Sequence, residues 1–431
     1  MRVTSLVRSS FVRAALVIAS GTTLAQVIPF LLTPVLTRIY SPEEMGVFSL
    51  YTAFVVVFLG ALSMGFGYAI VSADDGDVPG LVALCVRSIL LLILPVSALA
   101  FVLIRFDLLG FGSLSPYAVI SILLSLLVTE LFFVLRYVVL RDGHFRAIAS
   151  ATVSQSIARI GGQILLGLIG LGWWGLTLGD AAGRSFGIRS LAGRVPFGVR
   201  DVQAVWSWSV LRPLVGKYRD FAKYSAPGAI IDSLSAQIVA PLLAAQFGLA
   251  VAGQYGIVMR LVVLPVTLVG GAVADVFHQR LSEWARTKPQ AVVKLFLSVS
   301  GVLLVLGALL WLVIAALGDG IWVAVLGEQW RSAGQYAVAI APRAAIMMVS
   351  SPVSRTVLVF GGQKIKLWYN VFSVTMVIVA MEIARQRDWS ALEAITAISW
   401  AQAASSLVYF ALLFHVTRKG SQQRAATQME S

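Results

Sequence analysis

Four long apolar stretches set the strongest limit on how this chain can fold. They cover residues 50–70, 81–104, 119–140 and 293–317. A helix needs about 20 mostly apolar residues to cross a bilayer, whereas a membrane-spanning strand needs only about 10 residues of alternating polarity. Only 12% of the residues are charged, against about 25% in a soluble domain. The sequence therefore predicts an all-α membrane protein.

Shorter or more polar stretches extend this prediction to about twelve transmembrane helices. The first is expected to be a retained helix, because residues 12–36 form a longer stretch than the apolar core of a cleavable signal peptide, which has about 7–15 residues. The predicted spans are residues 12–36, 46–70, 79–104, 116–139, 147–169, 171–190, 224–246, 249–271, 291–317, 333–357, 366–384 and 391–415.

The positions of lysine and arginine predict the orientation, since both concentrate in cytoplasmic loops. With a cytoplasmic N-terminus, most of the 33 basic residues lie in cytoplasmic loops or termini, among them Arg2, Arg8, Arg13 and a basic block from Arg184 to Lys223. The C-terminus is then cytoplasmic too. We interpret the net charge of +13 as a consequence of membrane orientation, without a nucleic-acid partner. The loops on the opposite side hold Arg38, Arg105, Arg331, Arg385 and Arg387.

A polar interruption near the middle divides the chain into four predicted parts. These are a six-helix lobe at 1–190, a cytoplasmic amphipathic linker at 191–223, a second six-helix lobe at 224–417 and a polar cytoplasmic tail at 418–431. Trp206 and Trp208 lie among arginines in the linker, a pattern typical of a helix on an anionic membrane surface. The alternative is a linker that only joins the two lobes.

The two predicted lobes share a weak repeat, which predicts their arrangement. Repeats with an even number of helices are parallel and related by an axis along the membrane normal. We therefore expect two six-helix lobes around a central cavity. The matching positions are Gly21, Pro34 and Gly46 in the first lobe and Gly228, Pro241 and Gly253 in the second.

Three arginines inside predicted spans are the main candidates for a functional site. An arginine at the centre of a bilayer costs about 2.5–3.5 kcal/mol on insertion scales, so it should face protein or a hydrated cavity. At 1.5 Å per helical residue, the three fall at a similar depth, slightly outward of the midplane. We expect them to line the cavity and bind substrate, or to pair with intramembrane acids. They are Arg159, Arg260 and Arg343.

Polar stripes suggest further substrate-binding residues. Gln155 and Gln163 lie on the same face as Arg159, and Gln26 lies on a similar stripe of the first span. The alternative is hydrogen bonding between helices without a cavity, worth about 0.6 kcal/mol per contact. Gly175, Gly179, Gly183 and Gly187 repeat at intervals of four, a pattern that predicts close helix packing.

Intramembrane acids are candidates for ion coupling. Asp180 falls in the same layer as Arg159, so it either pairs with an arginine or couples transport to an ion. Asp232 has no obvious partner in the sequence and is the better candidate for an H⁺ or Na⁺ site. Glu130 and Asp275 lie nearer the ends of their spans, where we expect them to reach water.

Soluble catalytic motifs are not found, which argues against an enzyme. The sequence has no phosphate-binding Gly-Lys loop, no His-Glu-x-x-His zinc motif and no Gly-x-Ser-x-Gly motif. Cys85 is the single cysteine, and the three histidines are scattered, so neither a disulfide nor a metal site is expected. No cofactor is predicted beyond a coupling ion.

Three segments resemble bacterial polysaccharide-export flippases of the Wzx type. They are IPFLLTPVLTRIYSPEEMGVFSLY at 28–51, KYRDFAKYSAPGAIIDSLSAQ at 217–237 and QYGIVMRLVVLPVTLVGGAVADVFHQRLSE at 254–283. The superfamily of these flippases also contains multidrug exporters and lipid II flippases. The resemblance implies a membrane transporter with two six-helix lobes.

The resemblance also implies a substrate, undecaprenyl-pyrophosphate-linked oligosaccharide, such as an O-antigen or exopolysaccharide repeat unit, moved by alternating access. A polysaccharide polymerase and a chain-length regulator are the partners it suggests. Cationic cavity residues are typical of such flippases, and Arg159, Arg260 and Arg343 are the positions here that fit. Two alternatives stay open: a multidrug or cation exporter, and a non-transporting component of a polysaccharide assembly complex.

Overall fold

The computed structural model describes the backbone of residues 2–430 and the side chains of residues 17–362 and 364–426, where every regular element is helical. The side chains of Arg2, Arg8 and Arg13 lie outside this description. The helices are α1 (Arg2–Leu31), α2 (Thr33–Ile39), α3 (Pro42–Phe58), α4 (Phe66–Ile70), α5 (Val78–Arg105), α6 (Ala118–Arg141), α7 (Phe145–Leu168), α8 (Trp173–Ala192), α9 (Val199–Ala204), α10 (Trp208–Lys217), α11 (Ala226–Gln237), α12 (Val239–Phe247), α13 (Leu249–Thr287), α14 (Val292–Leu326), α15 (Arg331–Val353), α16 (Thr356–Phe360), α17 (Gln363–Gln386) and α18 (Ala391–Glu430).

All twelve predicted spans are mainly helical, but not all pass a test of length and apolarity. Eight of the described helices are long and apolar enough to cross a membrane, or nine if Phe221–Gln237 and Val239–Phe247, bent by 44°, form one span. The protein is therefore a multi-pass membrane protein, and the count of twelve stays a prediction. The predicted spans that fall short are 46–70, 147–169 and 171–190.

The second predicted span is interrupted in its middle. α3 ends at Phe58 and α4 begins at Phe66, and the turn between them contains Gly60, Met64 and Gly65 with φ angles of 77°, 50° and 71°. Only glycine adopts this left-handed region without steric cost. The interruption explains why no continuous helix of spanning length forms here.

Two compact units make up the chain, Met1–Gly253 (unit 1) and Gln254–Ser431 (unit 2). The predicted linker and the seventh predicted span thus belong to unit 1. The reason is packing, because α11 and α12 both contact α3. The core of unit 1 contains Leu50, Tyr51 and Phe54 of α3, with Leu81 and Cys85 of α5.

The predicted linker lies against the start of α5. Leu211 of α10 is fully buried, and the guanidinium of Arg87 lies 5.1 Å from the ring centroid of Trp208. The ammonium group of Lys217 lies 2.6 Å from a carboxylate oxygen of both Asp74 and Asp77. Hydrogen bonds to these two carboxylates raise the pKa of Lys217 above its usual value. The linker is therefore attached to unit 1 by both apolar and ionic contacts.

A position of the predicted repeat is a point of close contact within unit 1. A Cβ added at Gly253 would lie 2.7 Å from the backbone nitrogen of Gly46, its counterpart in the repeat. Both positions therefore need glycine for the same reason, which is close approach of the α3 and α13 backbones.

Unit 2 has its own aromatic core. Phe277 of α13, Phe296 of α14 and Tyr409 of α18 are buried together there. α18 continues as a helix through most of the predicted tail, where Ser421 donates a hydrogen bond of 2.6 Å to the carbonyl of Pro289 and Arg424 donates one of 2.9 Å to that of Val359. The tail is therefore polar in sequence but helical and attached to unit 2.

Candidate functional site

The candidate site in unit 1 is built on the close packing of α7 and α8. A Cβ added at Gly179 would lie 2.5 Å from the backbone nitrogen of Gln163, and one at Gly183 would overlap the backbone of Arg159. Glycines at intervals of four thus let the two helices touch backbone to backbone. The packing role that the sequence predicted for this stripe is confirmed.

Asp180 is the centre of a buried ionic cluster. Its side chain is 1% exposed, and each carboxylate oxygen faces a different guanidinium. Nε of Arg159 donates to Oδ1 at 2.7 Å, and Nε of Arg184 donates to Oδ2 at 2.6 Å. The ion pair that the sequence offered as one interpretation of Asp180 is present. Two arginines share one aspartate, so the cluster carries an excess of one positive charge.

Neutral hydroxyl groups surround this cluster. Tyr51 of α3 donates to Oδ2 of Asp180 at 3.3 Å and also contacts the hydroxyl of Ser125 on α6. Nη1 of Arg184 donates to Oγ1 of Thr129 at 3.2 Å. Arg184 is 11% exposed, whereas Arg159 is 29% exposed. Arg159 is therefore the member of the cluster that a ligand can reach most easily.

Two predicted substrate-binding glutamines are engaged in helix packing. The amide of Gln155 donates to the carbonyl of Arg184 at 3.0 Å, and that of Gln163 donates to the carbonyl of Leu176 at 3.1 Å. Both bonds join α7 to α8. Gln26 on α1 is exposed. These contacts favour the alternative of hydrogen bonding between helices for the stripe on α7.

The other two predicted arginines lie in unit 2. Arg343 of α15 is half-buried, and its Nη1 donates to the hydroxyl of Tyr255 at 3.1 Å and lies 3.5 Å from the sulfur of Met259. Both partners belong to α13, which also carries the half-buried Arg260 one residue beyond Met259. Among the described residues, no ion pair involves Arg343. It is therefore a guanidinium with neutral partners.

The predicted ion site Asp232 lies at a small cavity of unit 1. Asp232 on α11 is exposed and lines a volume of about 210 Å³ beside the interruption between α3 and α4. Gly60 and Ser63 of the interruption line the same cavity. The role of Asp232 in ion coupling stays a prediction.

The expectation for Glu130 was wrong. It does not reach water, because its side chain is 0% exposed. Its Oε1 accepts a short hydrogen bond from the backbone nitrogen of Gly60. The position of Glu130 along its own span does not reveal this burial. It is buried because the interrupted second span packs against α6. Asp275, by contrast, is 80% exposed, as expected.

Several residues of the site were missed by sequence reasoning. Arg184 was assigned to the cytoplasmic basic block, although its spacing of four from Asp180 on a helix is a signal for an ion pair. Tyr51 and Tyr255 carried no such signal, because aromatic residues are common in apolar helices. Among the described residues, no group of three or more His, Cys, Asp or Glu side chains could hold a metal ion.

The fold is shared with membrane transporters of known structure. A lipid II flippase MurJ in an inward closed conformation aligns with a TM-score of 0.66 at 13% identity, covering 95% of this chain and 91% of MurJ. An inward-facing multidrug resistance MATE family transporter of the MOP superfamily aligns with a TM-score of 0.62 at 13% identity, covering 96% of each chain. A MOP superfamily transporter from Pyrococcus furiosus aligns with a TM-score of 0.61 at 13% identity, covering 96% of each chain.

The sequence itself defines the family. The profile of the family described as "Polysaccharide biosynthesis protein" matches residues 35–335, which is more than half of the chain. The chain therefore belongs to this family. None of the curated protein sequences matches it.

Proposed function

We propose that this protein is a flippase that moves undecaprenyl-pyrophosphate-linked oligosaccharide across the bacterial inner membrane by alternating access, coupled to H⁺ or Na⁺. Membership of a polysaccharide biosynthesis family and a fold shared with a lipid II flippase support a lipid-linked sugar substrate. The observation that carries the proposal is the charge balance at Asp180, where two partly buried guanidinium groups face one buried carboxylate.

That excess suits an anionic substrate. The Asp180 cluster holds two arginines for one carboxylate, and Arg343 contacts the neutral side chains of Tyr255 and Met259. A guanidinium offers a planar pair of donors that matches phosphate oxygens. Charged groups lose their water when they enter hydrocarbon, at a cost of many kcal/mol. Partly exposed arginines can replace that hydration for a pyrophosphate while the polyprenyl tail stays in lipid.

A multidrug exporter is the second candidate, and the fold shared with a MATE transporter favours it. A site for lipophilic cations needs an excess of carboxylates or aromatic faces, because cations bind to negative charge or to ring faces. The cluster around Asp180 has the opposite charge balance.

The test is a flipping assay with the purified protein in liposomes. The substrate is undecaprenyl-pyrophosphate-linked oligosaccharide with a fluorescent sugar, and an impermeant quencher reports which leaflet holds it. We expect wild-type protein to move the sugar across the bilayer. Arg343→Ala should slow flipping about 10- to 100-fold, since a hydrogen bond to a charged group contributes about 1.5–3 kcal/mol. Arg343→Lys should restore only part of the rate.

Arg331→Ala is the matched control, because Arg331 begins the same helix, is 62% exposed and pairs with Glu328. Its rate should stay near that of wild type. Export of a lipophilic cation without flipping of the oligosaccharide would support the multidrug candidate. Normal flipping by Arg343→Ala would remove Arg343 from the site.

A further inference from the structure

Glu130 has an environment that differs from that of the other carboxylates described in unit 1. Asp180 lies between two arginines, and Asp74 and Asp77 lie beside Lys217. Glu130 is 0% exposed, and no ion pair involves it among the described residues. It lies within α6, a helix long and apolar enough to span the membrane. An ionised carboxylate is costly in such a place, so the group takes up a proton or a cation.

The two oxygens of Glu130 have different surroundings. Oε1 accepts a hydrogen bond from the backbone nitrogen of Gly60, whereas Oε2 is fully buried and has no hydrogen-bond partner among the described residues. The Ser63 hydroxyl donates to the carbonyl of Gly60 at 3.3 Å. A neutral carboxylic acid with its proton on Oε2 satisfies this arrangement best, because it keeps the bond to Gly60 and adds no buried charge.

The partner of Glu130 belongs to the interruption of the second span. Gly60 follows the end of α3 by two residues, and its φ of 77° places it in the left-handed region. An interrupted helix leaves backbone N–H groups without helical partners. Glu130 accepts a hydrogen bond from the N–H of Gly60, and the N–H groups of Leu62 and Ser63 also face its carboxylate. A negative charge on Glu130 would strengthen this bond, so its charge state is linked to the geometry of residues 59–65.

A cavity lies beside the residues of the interruption that Glu130 contacts. The cavity of about 210 Å³ is lined by Gly60 and Ser63 on one side and by Asp232, which is exposed, on the other. Phe133 and Val134, one turn beyond Glu130 on α6, also line it. The titratable or charged groups on the elements around Glu130 include Tyr51 on α3, Tyr68 on α4, Cys85 on α5, Tyr137 on α6, Asp180 and Arg184 on α8, and Asp232 on α11.

We propose that Glu130 is a proton-binding site that exchanges its proton through the cavity beside Asp232, and that its protonation changes the interruption between α3 and α4. The proton moves between Glu130 Oε2 and water in the cavity, with Asp232 as the outer acceptor. Arg184 does not neutralise Glu130, since its guanidinium is bound to Asp180 and Thr129. As the coupling site of a transporter, this inference rests on the proposed function.

Wild-type protein provides the first test, without any substrate. A hydrophobic carbodiimide reacts with protonated carboxylic acids in apolar surroundings, and peptide mapping identifies the modified residue. We expect Glu130 to be modified in membranes, with a rate that falls up to about tenfold per pH unit above its titration point. Absence of modification at acidic and at neutral pH would overturn the proposal.

Infrared difference spectroscopy of the purified protein provides the second test. The carbonyl band of a protonated carboxylic acid should appear on acidification of wild type and be missing from Glu130→Gln. Glu382→Gln is the control, because Glu382 pairs with Arg385 on α17 and is 45% exposed. The carbonyl band of this variant should match that of wild type. Asp232→Asn should keep the band and slow its appearance. A band unchanged in Glu130→Gln would contradict the proposal.

The flipping assay then separates this inference from the proposed function. Wild type should flip faster when a pH gradient is imposed, and Glu130→Gln should flip at a rate that no longer depends on the gradient. If wild type shows the infrared band but moves no oligosaccharide, the proton site stands and the proposed substrate fails. If wild type flips oligosaccharide and Glu130→Gln responds normally to the gradient, the coupling role of Glu130 fails alone.

Discussion

At the scale of single residues, Asp180 is the central charged group in the polar interior of unit 1. It is 1% exposed and pairs with two guanidiniums. Removal of one partner of a buried ion pair leaves uncompensated charge and costs about 3–5 kcal/mol. We therefore expect Asp180→Asn to lower the midpoint of thermal unfolding in detergent by several degrees, because two arginines would then repel each other without a carboxylate between them.

Asp275→Asn is the control for this measurement. Asp275 is 80% exposed and lies 4.0 Å from Arg355. Such surface pairs contribute about 0–1 kcal/mol, so the midpoint should change little. Equal midpoints for Asp180→Asn and Asp275→Asn would show that the buried cluster does not stabilise the fold.

Sequence reasoning reached some residues of the site and not others. Arg159 and Asp180 were placed in one layer by counting residues along two helices, and they pair at 2.7 Å. Arg184 was missed because its charge assigned it to a loop. Glu130 was misplaced because its burial depends on a neighbouring span that is interrupted, and only the three-dimensional fold brings Gly60 to it. Tertiary contacts of this kind leave no local pattern.

At the scale of elements, the glycines between α7 and α8 allow a direct test. Gly179→Ala should destabilise the protein by about 1–3 kcal/mol, because the new methyl group would meet the backbone of Gly162 and Gln163. Chemical or thermal unfolding in detergent would measure this loss.

Gly161→Ala is the matched control on α7. A Cβ there would meet no atom within 4 Å. Alanine is about 1 kcal/mol more favourable than glycine inside a helix, so this variant should be as stable as wild type or more stable. Equal destabilisation by the two substitutions would argue against close packing at Gly179.

The same two helices show how a helix of spanning length can fail a test of apolarity. α7 has 24 residues and α8 has 20, so both reach about 30 Å or more at 1.5 Å per residue, the thickness of the hydrocarbon core. Their polar groups bond to each other inside unit 1, as Gln163 does with Leu176. A hydropathy test treats such groups as exposed to lipid. The fold class followed from the longest apolar stretches, whereas the assignment of these two helices as spans stays a prediction.

At the scale of the whole molecule, the predicted topology can be tested with single cysteines. Cys85 is the only cysteine and is fully buried, so wild type should give little background with an impermeant thiol reagent. We expect Ser209→Cys in the linker and Gln422→Cys near the C-terminus to react only from the cytoplasmic side. Positive charge in both regions favours that side.

Ser113→Cys is the control on the opposite side. Ser113 is exposed in the segment between α5 and α6, which the twelve-span topology places outside. It should react in intact cells with the outer membrane permeabilised. Labelling of Ser209→Cys under the same conditions would contradict the cytoplasmic linker and the orientation of the whole chain.

The close packing of α7 against α8 has a mechanical consequence. Where glycine backbones touch, there are no side chains whose rotamers could absorb sliding, and Asp180 ties its own helix to Arg159 on the other. The two helices therefore form a stiff pair and move together. Bending is easier at residues 59–65, where three residues with φ angles of 50° to 77° interrupt the helical hydrogen bonds between α3 and α4. A force applied to unit 1 would therefore bend the turn at residues 59–65 before it separated α7 from α8.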